Sequence, residues 1–399
     1  MLSGRNNAVQ RYIRLIKKFL MRLILLPLRL VPIKSNRVLI INDLGYNYAG
    51  NPKAVAEYLD KKGHSRYEIV YSVNEPERYV NLKKRGFIMV KFNSSHYFYY
   101  AMTSKVIITN SGGTSYIPLR KCQCLINTGH GGGAYKKMGV DMFDNSFAFR
   151  TDLKMASRQI DFYLSTCKRY SEVVSKSVLI PKNKFWEIGM PRNDILLNRN
   201  DEIRQSVRKE LKLLENEKLV LFAPTYRKID DNYYKESVGI SYGIDSERVC
   251  RALRERFGGE WRFAIRFHPC VINRNELKTD DMQDLSDFED MQELLCAADV
   301  MINDFSSSMW DFMLTGRPCF LFALDLKHYE ETTKVYTPVS EWPFPKAVNN
   351  DELEKNILEF DEANYHKECK KHYHALGGCE TGQATALVCE KIYKECYES

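Results

Sequence analysis

The sequence predicts an α/β protein built on two parallel sheets, and three observations carry the prediction. Short apolar runs of strand length alternate with segments of helical spacing from Arg37 onward, a pattern that builds parallel sheets with helices on both faces. The chain has 399 residues, enough for two domains that each bury a core. The most regular stretch, Asp299 to Asp325, reads DVMINDFSSSMWDFMLTGRPCFLFALD. It is a strand, a Ser-rich turn, a helix stopped by Gly316 and Pro318, and a second strand, which is a parallel crossover.

Composition narrows the function classes. Charged residues are 28% and hydrophobic residues 44%, as in ordinary globular proteins. The net charge of +8 is local, because residues 1–37 hold nine Lys or Arg and no acid. The remainder, 50 basic against 51 acidic residues, is nearly neutral, which argues against a nucleic-acid binder. Eleven cysteines are scattered, odd in number and without a C-x-x-C, as expected of free thiols in a reducing cytoplasm. His366, Cys369, His372, His374 and Cys379 match no zinc spacing and read as helix and turn.

Residues 1–36 form the first segment. Tyr12, Ile13, Ile16, Phe19, Leu20, Leu23 and Ile24 make a helical apolar stripe, with Arg11, Arg14, Lys18 and Arg22 on the other side. The run is too short to span a bilayer and lacks a cleavage site. Two readings fit: a helix lying in an anionic membrane surface, or a helix docked on the protein's own core with solvated basic residues.

Residues 37–196 are expected to form the first domain. Strand-like runs occur at 37–42, 68–73, 87–92, 106–110 and 161–165. A further strand delivers Cys124-Leu-Ile-Asn-Thr-Gly129-His130-Gly131-Gly132-Gly133. Glycines let backbone approach a ligand closely. A His at the end of a parallel strand faces the crevice where such sheets bind ligands, and its pKa suits a general base. Lys136 and Lys137 follow within reach of an anion. A flexible turn with a surface His is the plainer alternative. Gly189-Met-Pro191-Arg192-Asn193-Asp194 is expected to present Arg192 and Asn193 at the last crevice loop; a simple Pro turn would look the same.

Residues 197–399 are expected to form the second domain. Its strands end in Thr225 and Arg227, in Arg266 and His268, and in Asp304, Ser306, Ser307 and Ser308. Parallel strands bring these ends to one edge. Two Arg, a His and a hydroxyl-rich helix start suit a phosphorylated, ribose-bearing ligand. Ser308-x-x-Asp311 has the form of a capping box, and an ordinary helix cap with no ligand is the alternative at this turn.

These motifs, in this order and spacing, resemble the CDP-glycerol glycerophosphotransferase family, the primases and polymerases of teichoic acids and related capsules. The resemblance covers about residues 37–395. It rests on Gly-Asn51-Pro-Lys, the His130 to Gly139 run, Gly189-x-Pro-Arg-Asn-Asp, Ala223-Pro-Thr-Tyr-Arg, Arg266-x-His-Pro and Asp304-Phe-Ser-Ser-Ser-x-x-Asp311. It implies a GT-B fold of two Rossmann-like domains facing across a cleft. It implies CDP-glycerol, or a related donor such as CDP-ribitol, held mainly by the second domain, and peripheral attachment at the cytoplasmic membrane face. The family's two essential histidines map onto His130 and His268. Its nucleotide pocket maps onto Ser306, Ser307 and the loops carrying Thr225 and Arg266. Gly129 departs from the bulky aromatic that relatives usually place before His-Gly, which bears on the acceptor.

The reaction expected is in-line displacement at the donor's β-phosphate by a hydroxyl of a lipid-linked polymer, releasing CMP. His130 would take the proton, and His268 with Arg266 would stabilise the departing phosphate. No D-x-D is present, so neither metal nor cofactor is expected. Rival readings are a sugar-nucleotide glycosyltransferase on the same fold and a non-catalytic nucleotide-binding scaffold. Glycerol versus ribitol donor, primase versus polymerase and homo-oligomer formation stay open.

Overall fold

The computed structural model describes residues 2–63, 66–112, 114–142, 145–198, 200–225, 242–268, 271 and 281–398, with side chains from Val9 onward. The chain divides into two compact units, Met1–Asp194 with Gly377–Ser399, and Ile195–Leu376.

The first unit is a seven-stranded sheet. Its strands are β1 (Lys34–Ile41), β2 (Glu68–Val73), β3 (Ile88–Lys91), β4 (Ser104–Thr109), β5 (Cys124–Asn127), β6 (Phe162–Ser165) and β7 (Phe185–Glu187). They lie in the order β3-β2-β1-β4-β5-β6-β7, and every pair is parallel. Val38, Leu39 and Ile40 are wholly buried, because helices cover both faces and leave no solvated side for alternation. Each such side chain stabilises the fold by roughly 1.5–3 kcal/mol.

The second unit repeats the plan with six strands. These are β8 (Glu217–Phe222), β9 (Glu260–Ile265), β10 (Gln283–Asp284), β11 (Val300–Asn303), β12 (Cys319–Phe322) and β13 (Lys346–Ala347). Their order is β10-β9-β8-β11-β12-β13, again parallel throughout. β10 and β13 were not anticipated, since two-residue strands carry no readable period. The expected crossover is present as β11, a helix at Ser308–Met313 and β12.

The second domain was expected to run to residue 399, and this needs correction. The chain returns at Gly377, and the helix Ala384–Tyr397 buries Val388, Cys389 and Ile392 in the first unit's core with Val38, Val55 and Ile126. An apolar helical face reveals that it is buried, not which sheet buries it. The histidine- and cysteine-rich stretch is largely one helix, Glu362–Ala375.

The N-terminal helix, Leu2–Leu25, docks with the face opposite to the one a core-docked amphipathic helix would bury. Leu15 and Leu25 are buried. Lys18 pairs with Asp152 at 2.6 Å, and Arg22 donates to the carbonyls of Ser115 at 2.8 Å and Ile117 at 3.2 Å. Arg29 donates to the Leu119 carbonyl, and Arg120 donates back to the carbonyls of Arg29 and Val31. The apolar stripe points outward, with Ile16 57% and Leu23 62% exposed. Neither sequence reading anticipated that Lys18, Arg22 and Arg29 would face the protein. Among the described residues no helix is long and apolar enough to cross a membrane.

Candidate active site

In each sheet the strand order reverses once, between β1 and β4 and between β8 and β11. Ligands of such sheets bind beyond the carboxyl ends of the strands at that reversal. In both units a polar pair ties the two strand ends together there.

In the first unit the pair is Asn42 and Asn110. Asn110 Nδ2 donates to Asn42 Oδ1 at 2.6 Å and to Asp43 Oδ1 at 3.0 Å, and Asn110 Oδ1 accepts the Asp43 N–H at 2.8 Å. The Asn110 carbonyl then meets His130 Nδ1 at 3.0 Å. A carbonyl can only accept, so Nδ1 carries the proton and Nε2 is the basic nitrogen. His130 is exposed just beyond the end of β5.

The ground beneath His130 is built by Asn51, at the start of the helix Gly50–Gly63. Its side chain donates to the carbonyls of Thr128 at 3.2 Å and Gly129 at 3.0 Å, and accepts the Arg192 N–H at 3.0 Å. Arg192 Nη1 donates to the His130 carbonyl at 2.8 Å. Arg192 and Asn193, expected to be presented at the crevice, are turned inward; Asn193 is fully buried. Gly131, Lys136 and Lys137 are half-buried along the run after His130.

Gly129 has φ +57°, a conformation that strains any side chain. A Cβ there would also stand 3.4 Å from Tyr163 Oη and 3.5 Å from Tyr170 Oη. These two stacked, buried tyrosines occupy the space next to position 129. Burial pushes both phenols up, so both stay protonated.

In the second unit the pair is Thr225 and Asp304. Asp304 accepts the Thr225 N–H at 2.9 Å and the Thr225 hydroxyl at 2.9 Å. Its own N–H donates to Asn303 Oδ1 at 2.7 Å. Asp304 is 2% exposed, so it braces the rim from within. Ser306 and Ser307 stand half-buried at the turn. The capping box does not form: the helix N-cap is Ser307, with no side-chain capping bond. Ser308 Oγ instead donates to Ser306 Oγ at 2.9 Å and accepts from Asn303 Nδ2 at 2.9 Å. Asp311 is buried and accepts from Gln292 Nε2 at 2.8 Å. Phe305 stacks on Tyr329 beneath the turn, and Trp310 stacks on Tyr373 behind it.

Arg266 and His268 follow β9 at the same carboxyl edge. The Arg266 guanidinium reaches the Phe288 carbonyl at 3.1 Å, while the His268 ring is exposed. Arg227 lies outside the described residues, as does most of the loop expected at 229–244. The structure thus gathers His130 with Arg192, and Thr225 with Asp304 and the serines. Sequence reasoning assigned no role to Asn42, Asn51 or Asn110. A polar residue ending an apolar strand was the available signal for Asn42 and Asn110, and the Asn-Pro helix start for Asn51. Among the described residues no cluster of His, Cys, Asp and Glu could hold a metal ion.

Solved structures place this architecture. The wall teichoic acid polymerase TagF superposes with a TM-score of 0.79 at 22% identity, covering 98% of both chains. Two parallel Rossmann-like sheets with that likeness make this a protein of the GT-B class. The chain belongs to the CDP-glycerol:poly(glycerophosphate) glycerophosphotransferase family, whose model matches residues 24–394, and it is therefore a phosphotransferase enzyme. It is 28% identical to a teichoic acid glycerol-phosphate transferase of Staphylococcus aureus, over 88% of this chain and 91% of that one. It is 25% identical to a teichoic acid poly(glycerol phosphate) polymerase of Bacillus subtilis, over 91% of this chain but 49% of that one. The chain thus spans about half the length of that polymerase.

Proposed function

We propose that this enzyme transfers glycerol phosphate from CDP-glycerol to a hydroxyl of a lipid-linked teichoic-acid or capsular acceptor, releasing CMP. The observation that carries the reading is His130. Its ring is exposed at a sheet's ligand-binding edge, and the Asn110 carbonyl sets the tautomer that leaves Nε2 basic. His130 takes the acceptor's proton as its oxygen attacks the β-phosphorus. The bond from that phosphorus to the bridging oxygen breaks, and CMP leaves with the electron pair. The second unit's edge holds the CDP end, with Ser306, Ser307 and the Thr225 loop toward ribose and phosphate, and with His268 and Arg266 neutralising the departing phosphate.

The direct test is mass analysis of products from CDP-glycerol, CDP-ribitol and UDP-sugars with a synthetic lipid ending in glycerol phosphate. The expected result is CMP and an acceptor heavier by one or more glycerol phosphates. Release of UDP or CDP would replace the reading with glycosyl transfer, and CMP from CDP-ribitol alone would change the donor.

The enzyme works at a membrane surface, and the outward apolar stripe of the first helix supports this. Ile16, Phe19, Leu20, Leu23 and Ile24 are all exposed on one side, while Lys18 and Arg22 are engaged with the protein. Apolar burial then drives attachment more than charge does. Sedimentation with phosphatidylcholine vesicles should retain most of the binding seen with anionic vesicles, and Leu23→Glu with Ile16→Glu should abolish it. Loss of binding in about 0.5 M salt would show that attraction to anionic lipid dominates instead.

A further inference from the structure

The segment on which the chain returns from the second unit carries a carboxylate that the motifs leave unassigned. Glu380 Oε2 accepts the Met190 N–H at 2.9 Å, and Glu380 Oε1 accepts from Asn193 Nδ2 at 2.9 Å. Gly189 sits at φ +86°, and a Cβ there would lie 2.4 Å from Glu380 Oε2. The carboxylate therefore fits only because position 189 has no side chain.

A few residues on, the same segment grips the other end of the loop. Asp194 accepts the N–H groups of Ala384 at 3.1 Å and Thr385 at 2.7 Å, at the start of the C-terminal helix. Burial raises the Asp194 pKa, and the bonds from Thr385 and Ala384 oppose the rise. The Thr385 hydroxyl donates to the Pro191 carbonyl at 3.1 Å. Between these grips lies Arg192, whose guanidinium holds the His130 carbonyl. The loop is thus fixed from one side by the return segment and passes that constraint to the residue bearing the base. The chain leaves the first unit after Asp194 and re-enters it at Gly377, so both crossings are joined at this brace.

We propose that Glu380 is a positioning residue for the transfer reaction, holding the Gly189–Asp194 loop so that Arg192 fixes the His130 backbone and the ring meets the acceptor hydroxyl. The inference rests on His130 as the base. Glu380 acts by geometry, through its bonds to Met190 and Asn193 of the loop. A misplacement of about 1 Å in such a support costs up to about a hundredfold in rate.

The test is Glu380→Gln, which keeps the volume but loses a bond to one of the two donors. CMP release from CDP-glycerol with the glycerol-phosphate lipid should fall about ten- to a hundredfold in kcat. CDP-glycerol affinity by calorimetry should not change. The His130 signal in ¹³C-histidine spectra, assigned with His130→Ala, should titrate at a shifted pH. In the His130→Ala background Glu380→Gln should cost nothing further. Thr385→Val, which removes the hydroxyl's bond to Pro191 and its side-chain support of Asp194, should move rate and titration the same way by less, and serves should Glu380→Gln fold poorly. A wild-type kcat, a loss accounted for by the folded fraction, or the same fold-loss on top of His130→Ala overturns the proposal. An active His130→Ala overturns the base assignment alone. An unmoved His130 titration in both brace variants overturns the positioning role alone.

Discussion

The two strand-order reversals solve one structural problem with different chemistry. Each must tie two parallel strand ends together without filling the crevice above them. The first unit uses a pair of amides, Asn42 and Asn110, and leaves a backbone carbonyl free to orient His130. The second uses a carboxylate, Asp304, which saturates itself on Thr225 and the adjoining backbone. An amide both donates and accepts, so Asn110 grips Asn42 and Asp43 from both ends and fixes its own backbone carbonyl, which meets the ring. A carboxylate only accepts, so it ends the network, and Ser306 and Ser307 stand half-buried at the turn beyond it. The first edge is built to hold the His130 ring in one tautomer. The second is built to hold a rigid, hydroxyl-rich surface.

The largest break in this comparison comes from His130→Ala. Loss of a general base lowers transfer by roughly 10²–10⁴-fold, measured as CMP release, while calorimetric binding of CDP-glycerol stays near wild type. Near-normal turnover would remove the catalytic distinction between the two edges.

A smaller break comes from Asp304→Asn. The amide keeps the volume but turns one acceptor into a donor facing Thr225, whose N–H and hydroxyl both need an acceptor. Leaving a buried donor unmet costs about 1–3 kcal/mol. The urea midpoint of the second unit should fall accordingly, and CDP-glycerol affinity should weaken with it. Unchanged stability with weakened binding would mean that Asp304 meets the ligand directly and is no internal brace.

The sequence made the strands legible because they are fully buried. Leu219, Val220 and Leu221 form a continuous apolar run, and both sheet faces explain it. His130 was legible for the opposite reason, as a titratable residue in a glycine run where a core strand ends. Residues whose meaning lies in distant partners could not be read. Glu380 meets Met190 from 190 positions away, and nothing local marks it. The N-terminal helix shows a third limit. Periodicity located its two faces correctly, but whether the apolar one faces protein or solvent depends on Asp152 and the carbonyls of Ser115 and Ile117. Asp311 fell to competition: three residues after a serine it suggests a capping box, but Gln292 claims it.

The mildest test compares how the two units meet acid. The first unit's described histidines, His96 and His130, are exposed. In the second unit His372 is 7% exposed and lies edge-on to Trp310, the residue at the back of the serine-turn helix. Burial lowers its pKa to about 4, with Lys346 adding to the shift and a hydrogen bond at the Glu341 backbone opposing it. An unfolded histidine titrates near 6.5. Between about pH 6.5 and 4 the unfolded chain therefore holds the extra proton, and stability is lost as pH falls through that window. The loss approaches about 1.4 kcal/mol per pH unit, or about 2 kcal/mol at pH 5. Trp261, Trp310 and Trp342 all lie in the second unit, so tryptophan fluorescence in urea reports mainly on it. Its midpoint should drop between pH 7 and pH 5, and His372→Gln should flatten most of the drop. If His372→Gln keeps the full slope, another group carries the acid sensitivity. If the first unit loosens first, the amide-braced edge is the weaker of the two.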